Sequence, residues 1–306
     1  MLATLTDRYF SDPAWVFERK LDGVRTIAVR TDGGEPQLWS RNHRLMNAAY
    51  PEIVEALAEQ GGESFVADGE IVAFDGRQTS FAKLQPRIHL TDPVRARATG
   101  IQVFYYLFDL LSFGGTDATS LPLRGRRKLL ERAFDFRGAL RLSRYRNAEG
   151  ERFLREACEK GWEGLIAKRA DAPYTSGRSR HWLKFKCVKD QEFVVGGYTD
   201  PSGSRAGFGA LLVGYYDDGA LRYAGKVGAG YTDAALRTLK GRLDDLAVSS
   251  SPFADRVREP GSHWVEPELV VQVRFSEWTG DGRLRHPRFT GLRTDKPAAE
   301  VVRETP

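Results

Sequence analysis

Cysteine is nearly absent. Among 306 residues only Cys158 and Cys187 occur, far apart and outside any CxxC spacing, which argues against a zinc site or a disulfide framework. Long apolar runs are also missing: no stretch approaches the ~18 residues of a membrane span. The first residues, Met1 to Arg8, meet charged side chains at once, so no signal peptide is read. The glycine motifs that cradle phosphates are absent too. The nearest match to GxxxxGK[ST], Gly219 to Lys226, is one residue too long and is followed by Val227, and no GxGxxG opens a helix. A nucleotide would have to be held by side chains. His43, His89, His181, His263 and His286 show no metal spacing and are assigned no role. These absences point to a cytoplasmic protein with no membrane partner.

What is present is ordinary for a globular chain: 41% hydrophobic and 28% charged residues. The length suits two domains. A net charge of +5 favours an anionic partner, of which nucleic acid is the commonest.

Residues 1–189 mix strand-like and helix-like segments without a regular βαβ period. Ile27 to Val29, Phe65 to Ala67 and Val103 to Phe108 read as strands from their β-branched and aromatic content. Pro51 to Leu57, Arg126 to Phe134 and Arg152 to Lys160 read as helices, the last ending at Gly161. Beyond Gln191 short strands dominate: Phe193 to Tyr198, Ala210 to Tyr216, a turn at Asp217-Asp218-Gly219, then Leu221 to Ala224. One helix is expected, capped by Thr232 or Asp233, with Leu236, Leu239, Leu243 and Leu246 along its apolar side. Strand pattern resumes at Leu269 to Phe275. Short strands with one inserted helix suit an OB-type barrel, so the boundary is placed at Lys189–Asp190, with domains 1–189 and 190–306. The Gly- and Ser-containing stretch from Pro201 to Gly209 reads as a loop.

The chemistry-bearing residues are charged sets beside apolar runs. After Trp15-Val16-Phe17 comes Glu18-Arg19-Lys20-Leu21-Asp22-Gly23-Val24-Arg25. A strand through it would put Glu18, Lys20 and Asp22 on one face and Trp15, Phe17 and Leu21 on the other. Later sets are Ser40-Arg41-Asn42, Asp68-Gly69-Glu70, Phe108-Asp109, Glu163-Gly164-Leu165-Ile166-Ala167-Lys168-Arg169, Lys184-Phe185-Lys186 and Arg293-Thr294-Asp295-Lys296. Within Trp182 to Cys187, alternation places Trp182, Lys184 and Lys186 on one face and Leu183, Phe185 and Cys187 on the other. Any one set alone reads as solvated surface charge.

Together and in this order, they resemble the successive motifs of the covalent nucleotidyltransferases, and are most similar to ATP-dependent DNA ligases of the bacterial end-joining (LigD/LigC) type. Stretches Pro173 to Trp182, Gln191 to Tyr198 and Arg285 to Phe289 support the resemblance, which covers nearly the whole chain. It implies an α+β, two-domain fold: a nucleotidyltransferase domain of antiparallel sheets flanked by helices (ATP-grasp-like), then an OB-fold β-barrel. It implies a DNA ligase that seals 5′-phosphate/3′-hydroxyl breaks in DNA repair.

The reaction explains the residue types. A neutral lysine amine attacks the α-phosphate of ATP, so an ammonium of ordinary pKa about 10.4 must be depressed by neighbouring cations, metal or desolvation. By the resemblance Lys20 is that nucleophile. Glu18 reads adenine, Phe108 stacks on its ring, Glu70 binds ribose or metal, and Glu163 holds Mg²⁺ or Mn²⁺. Lys184 and Lys186 neutralise phosphates; Arg25, Arg41 and Arg178 contact the nucleotide or the 5′-phosphate. Asp22 fixes the loop and Gly23 allows close backbone approach. Arg293, Asp295 and Lys296 orient the leaving pyrophosphate, which requires a hinge at Lys189–Asp190. Expected partners are nicked or broken double-stranded DNA and a Ku-type end-binding protein; a monomer associated with the nucleoid is expected. The initiator Met1 favours a stand-alone protein over an excised module. RNA ligase or capping activity is the neighbouring alternative, and a non-catalytic OB-type nucleic-acid-binding protein is the alternative of another class.

Overall fold

The computed structural model describes residues 1–187, 190–201 and 207–304. The chain divides into two compact units, the first ending at Cys187. Lys189, on which the expected boundary and hinge fall, lies outside the described residues, as does the 202–206 part of the expected loop.

The first unit holds two sheets. In the larger, strands Gln37–Ser40, Val24–Arg30, Phe65–Asp75 and Val103–Phe113 run antiparallel in that spatial order. Val24–Arg30 alternates buried and half-buried residues along its length, as a strand with one face on a core must. That core joins Ala28, Ile53, Leu57, Phe65, Leu107 and Leu130, so helices Pro51–Ala58 and Leu123–Ala133 close the face opposite the charged residues. Proline at the first turn of Pro51–Ala58 costs nothing, because that N–H has no partner in a helix anyway.

The smaller sheet has the order Leu2–Leu5, Arg178–Lys186, Gly164–Arg169, Trp15–Arg19, Tyr145–Asn147. Only its Leu2–Leu5 edge is parallel. Helix Gly150–Glu159 covers one face, packing Phe153, Leu154 and Ala157 on Phe17, Leu165 and Phe185. Leu183 and Cys187 join this side, whereas Trp182 packs with Phe108 on the other, as alternation requires.

Two expectations need correction here. Cys158 and Cys187 are bonded in a disulfide, 29 residues apart with Cα atoms 5.2 Å from each other. The end of the helix and the end of the Arg178–Lys186 strand bring them together, a tertiary juxtaposition that sequence spacing does not encode. The strand carrying Glu18 stops at Arg19, so Lys20, Leu21 and Asp22 follow it as a loop. Asp22 anchors that loop: its carboxylate accepts from Phe81 N and its own N–H donates to Thr79 Oγ1, both at 3.0 Å. Gly23 then presses on the larger sheet, where a Cβ would stand 2.2 Å from the Ile71 carbonyl oxygen.

In the second unit, Asp190–Thr199 is the spine. Its first half pairs with Val270–Arg274 and its second with Leu211–Asp217, with a register shift at Val195/Gly197. Such an irregularity bends a strand and curls a sheet towards a barrel. Leu211–Asp217 continues through the tight turn at Asp218-Gly219 into Ala220–Val227. Helix Asp233–Asp245 is capped by Thr232, whose hydroxyl accepts from Ala235 N, and it buries Leu236, Leu239 and Leu243 against Phe193, Val213 and Val271. The curled sheet with one helix packed on it is the OB-type barrel expected from the sequence.

Candidate active site

The charged residues of the first unit meet where its two sheets face each other. Lys20 leaves the Trp15–Arg19 strand with its N–H on the Gly164 carbonyl at 2.9 Å. Its Nζ donates to Glu163 Oε1. Lys20 is 20% and Glu163 19% exposed at the side chain, so the pair is reachable yet largely shielded. The register explains the meeting: Gly164 begins a strand that pairs Leu165 with Arg19 and Ile166 with Glu18, which sets Gly164 level with Lys20 and Glu163 next to it. On its other side the same strand pairs Gly164 with Lys186 and Ile166 with Lys184. Both lysines thus lie across one intervening strand from the Lys20 exit.

From the larger sheet come Arg25, Glu70 and Phe108. Arg25 and Glu70 are direct cross-strand partners, and Tyr106 opposes Glu70 on the next strand. Arg25 is clamped on Asp68 by two hydrogen bonds, Nε to Oδ1 at 3.0 Å and Nη2 to Oδ2. A third reaches the Met1 carbonyl. Burial alone would lower the Arg25 pKa, but the Asp68 carboxylate outweighs it and raises the pKa, so the guanidinium stays charged. Tyr174 donates to Asp68 Oδ2 at 2.8 Å; burial, with Asp68 adding to it, pushes its hydroxyl well up and keeps it a donor.

Phe108 is buried edge-on against Trp182, with ring centroids 5.8 Å apart. The Arg25 guanidinium lies 5.7 Å from Phe108 and 5.4 Å from Trp182. Glu18 is also buried, its Oε2 accepting from Ser143 Oγ at 2.9 Å and from Lys168 Nζ at 3.0 Å. The contacts therefore bring Lys20 together with Glu163, Arg25 with Glu70 and Phe108, and Glu18 with Phe108 through Lys168. Arg41 and Arg178 are exposed, in the turn after Gln37–Ser40 and at the start of Arg178–Lys186, where Arg178 donates to the Ala3 carbonyl at 3.1 Å.

Arg293, Asp295 and Lys296 belong to the second unit and are engaged within it. Arg293 grips Asp295 through Nε and Nη2 at 2.9 and 2.8 Å, and Lys296 Nζ donates to Glu192 Oε2 at 2.8 Å. Burial would raise the Glu192 carboxyl, but Lys296 and Arg293 beside it hold it down to about 2.

Sequence reasoning quoted Asp68 and Lys168 within motifs and Tyr174 within a supporting stretch but gave them no role, and it assigned none to Ser143 or Arg127. Their partners lie 16 to 150 residues away, so only the folded sheets reveal them. Among the described residues no group of three or more His, Cys, Asp or Glu side chains converges to hold a metal. Carboxylates that share an ion with substrate phosphate and water are nevertheless the donor chemistry Mg²⁺ accepts, and Glu70 and Glu163 fit that set.

Two family descriptions match the chain: "ATP dependent DNA ligase domain" over residues 1–186 and "ATP dependent DNA ligase C terminal region" over residues 204–296. The multifunctional non-homologous end joining protein LigD of Pseudomonas aeruginosa is 40% identical over 301 residues, covering 95% of this chain and 35% of that protein. LigD of Mycolicibacterium smegmatis is 37% identical over 296 residues, covering 95% of this chain and 37% of that protein. The chain thus spans about a third of the length of these relatives. A solved structure of mycobacterial DNA ligase D complexed with ATP and MES superposes with a TM-score of 0.70 at 35% identity, covering 99% of this chain and 97% of that one. With both regions matched along nearly its whole length, the chain belongs to the ATP-dependent DNA ligase family.

Proposed function

We propose that the protein seals 5′-phosphate/3′-hydroxyl breaks in duplex DNA, with Lys20 as the adenylylated residue. The observation that carries the assignment is the Lys20 amine hydrogen-bonded to Glu163, across one intervening strand from Lys184 and Lys186. In the first step the Lys20 Nζ lone pair forms a bond to the α-phosphorus of ATP while the bond to the bridging oxygen breaks, and pyrophosphate leaves with that electron pair. Glu163 orients the amine, and Lys184 and Lys186 offset charge on the phosphates. A DNA 5′-phosphate oxygen then displaces Lys20 from the AMP, and the 3′-hydroxyl finally displaces AMP to close the backbone.

Glu70 and Glu163 would hold Mg²⁺ or Mn²⁺, which would supply Lewis-acid polarisation of the phosphate. Glu18 reads the adenine amine, Phe108 packs on the base, and Arg25, Arg41 and Arg178 serve the nucleotide or the 5′-phosphate. Arg293, Asp295 and Lys296 orient pyrophosphate after motion about Lys189–Asp190. We further propose a monomer that acts on nicks or ends at the bacterial nucleoid, with a Ku-type end-binding protein as partner.

Incubation with α-labelled ATP and Mg²⁺ or Mn²⁺ should label the protein, and Lys20→Ala should abolish label. Wild-type labelling of that variant would overturn the assignment. Labelling by GTP instead, or sealing of nicked RNA in preference to DNA, would favour the RNA-directed alternative.

A further inference from the structure

Lys168 is a deeply enclosed lysine. Its side chain and that of Glu18 are 2% and 3% exposed, and they meet at 3.0 Å. The same ammonium stands 4.1 Å from the Phe108 ring centroid and 4.2 Å from that of Trp182, within cation–π range of both. Ser143 Oγ donates to the oxygen that Lys168 holds, Glu18 Oε2. Glu18 Oε1 is buried with no hydrogen-bond partner among the described residues; the Arg127 guanidinium lies 3.7 Å from it. Arg127 in turn donates to the Phe108 carbonyl at 3.1 Å and to the Ser143 carbonyl. One buried lattice thus fixes the carboxylate, its hydroxyl partner and the aromatic ring.

A buried acceptor with an open valence demands a donor. The 6-amino group of adenine donates; a 6-oxopurine presents an acceptor at the same position and would leave two acceptors facing each other. The geometry points to Lys168 as the positioning residue for base selection: by holding Oε2 it keeps the Glu18 carboxylate turned so that Oε1 accepts from a 6-aminopurine. The inference rests on the reading of Glu18 as the adenine contact. Burial pushes the Lys168 ammonium below its usual range, with Glu18 opposing and Arg127 adding to the shift. The pair is therefore sensitive to loss of either member.

ATP and inosine triphosphate test this directly, because they differ in the group at C6. Single-turnover adenylylation of Lys20 is followed at varied nucleotide for wild type, Lys168→Met, Lys168→Arg, Ser143→Ala and Glu18→Ala. Lys168→Met should raise the apparent KM for ATP at least tenfold, with a much smaller change in the rate at saturation. The ATP-to-inosine-triphosphate ratio of rate over KM should fall at least tenfold. Lys168→Arg should recover most of that ratio, and Ser143→Ala should lower it by a few fold. A ratio that stays at the wild-type value in Lys168→Met, with both nucleotides weakened in parallel, would overturn the inference. If Lys168→Met does not fold, unchanged ratios in both Lys168→Leu and Ser143→Ala would overturn it equally. Glu18→Ala separates the two claims: an unaltered ratio there defeats the adenine reading itself, whereas loss there without loss in the Lys168 variants defeats only the positioning role.

Discussion

Lys296 reaches back 104 residues to Glu192, its Nζ 2.8 Å from the carboxylate, and ties the last charged motif to the first strand of the C-terminal unit. Arg293 approaches the same carboxylate at 4.0 Å. The segment from Arg293 to Lys296 is thereby held by an internal anion.

This contact makes acid stability sensitive to Glu192. Its folded pKa, about 2, lies below the ordinary glutamate value of 4.5, so the stabilisation is fully present above pH 4.5. It is lost as pH falls from there towards 2. The contribution is on the order of 3 kcal/mol. Thermal melts between pH 2 and 6 should show Glu192→Gln less stable than wild type at pH 6, with the gap closing towards pH 2. A constant gap would contradict the linkage.

Glu163→Gln keeps the shape of the Lys20 partner and removes its charge. Adenylylation at saturating ATP should fall about 10²–10³-fold, as when one preorganised polar group is lost from a site. Chelation of divalent cations should abolish label incorporation in wild type as well. Quenched-flow measurement of label transfer would show both.

The Cys158–Cys187 bridge spans 29 residues of sequence. Loop-closure entropy assigns such a cross-link about 3.5 kcal/mol at 25 °C. Denaturant unfolding under a dithiol reductant, or of Cys158→Ser, should show the loss, while a free-thiol assay of the native oxidised protein should find no reactive cysteine.

Gly164 adopts φ +148°, and a Cβ there would sit 1.9 Å from the Phe185 carbonyl oxygen. Gly164→Ala should destabilise the protein by on the order of 3 kcal/mol. It should also slow adenylylation, because the Gly164 carbonyl receives the Lys20 N–H. Alanine at Gly76, where a Cβ would meet nothing within 4 Å, is the milder control: its φ of +59° lies in the left-handed helical region, which alanine reaches at a cost of about 1 kcal/mol.

Much of this architecture was legible because short-range chemistry dictates it. Trp182, Lys184 and Lys186 against Leu183 and Phe185 is period-two alternation, and Thr232 as a helix cap follows from its hydroxyl. The hairpin at Asp218-Gly219 is a matter of backbone freedom: both residues take positive φ. What stayed hidden was pairing across distance. Asp68 looked like one more motif carboxylate until Arg25 and Tyr174 closed on it, and Lys168 looked like a strand-end charge until Glu18 and two rings enclosed it. Arg19 gave no sign of ending its strand; the chain leaves it for a loop that seats Gly23 against Ile71, a contact distant in sequence.

The strand Gly164–Arg169 is paired residue for residue on both edges, with the strand leading to Lys20 and with the one bearing Lys184 and Lys186. It works as a ruler read from two sides. Adding or removing one residue there would turn its side chains over and slide Glu163 past Lys20, whereas the turn around Gly33, where a Cβ would meet nothing within 4 Å, has slack to absorb the same change. Tolerance of altered length, rather than of altered side chains, is where this site is least forgiving.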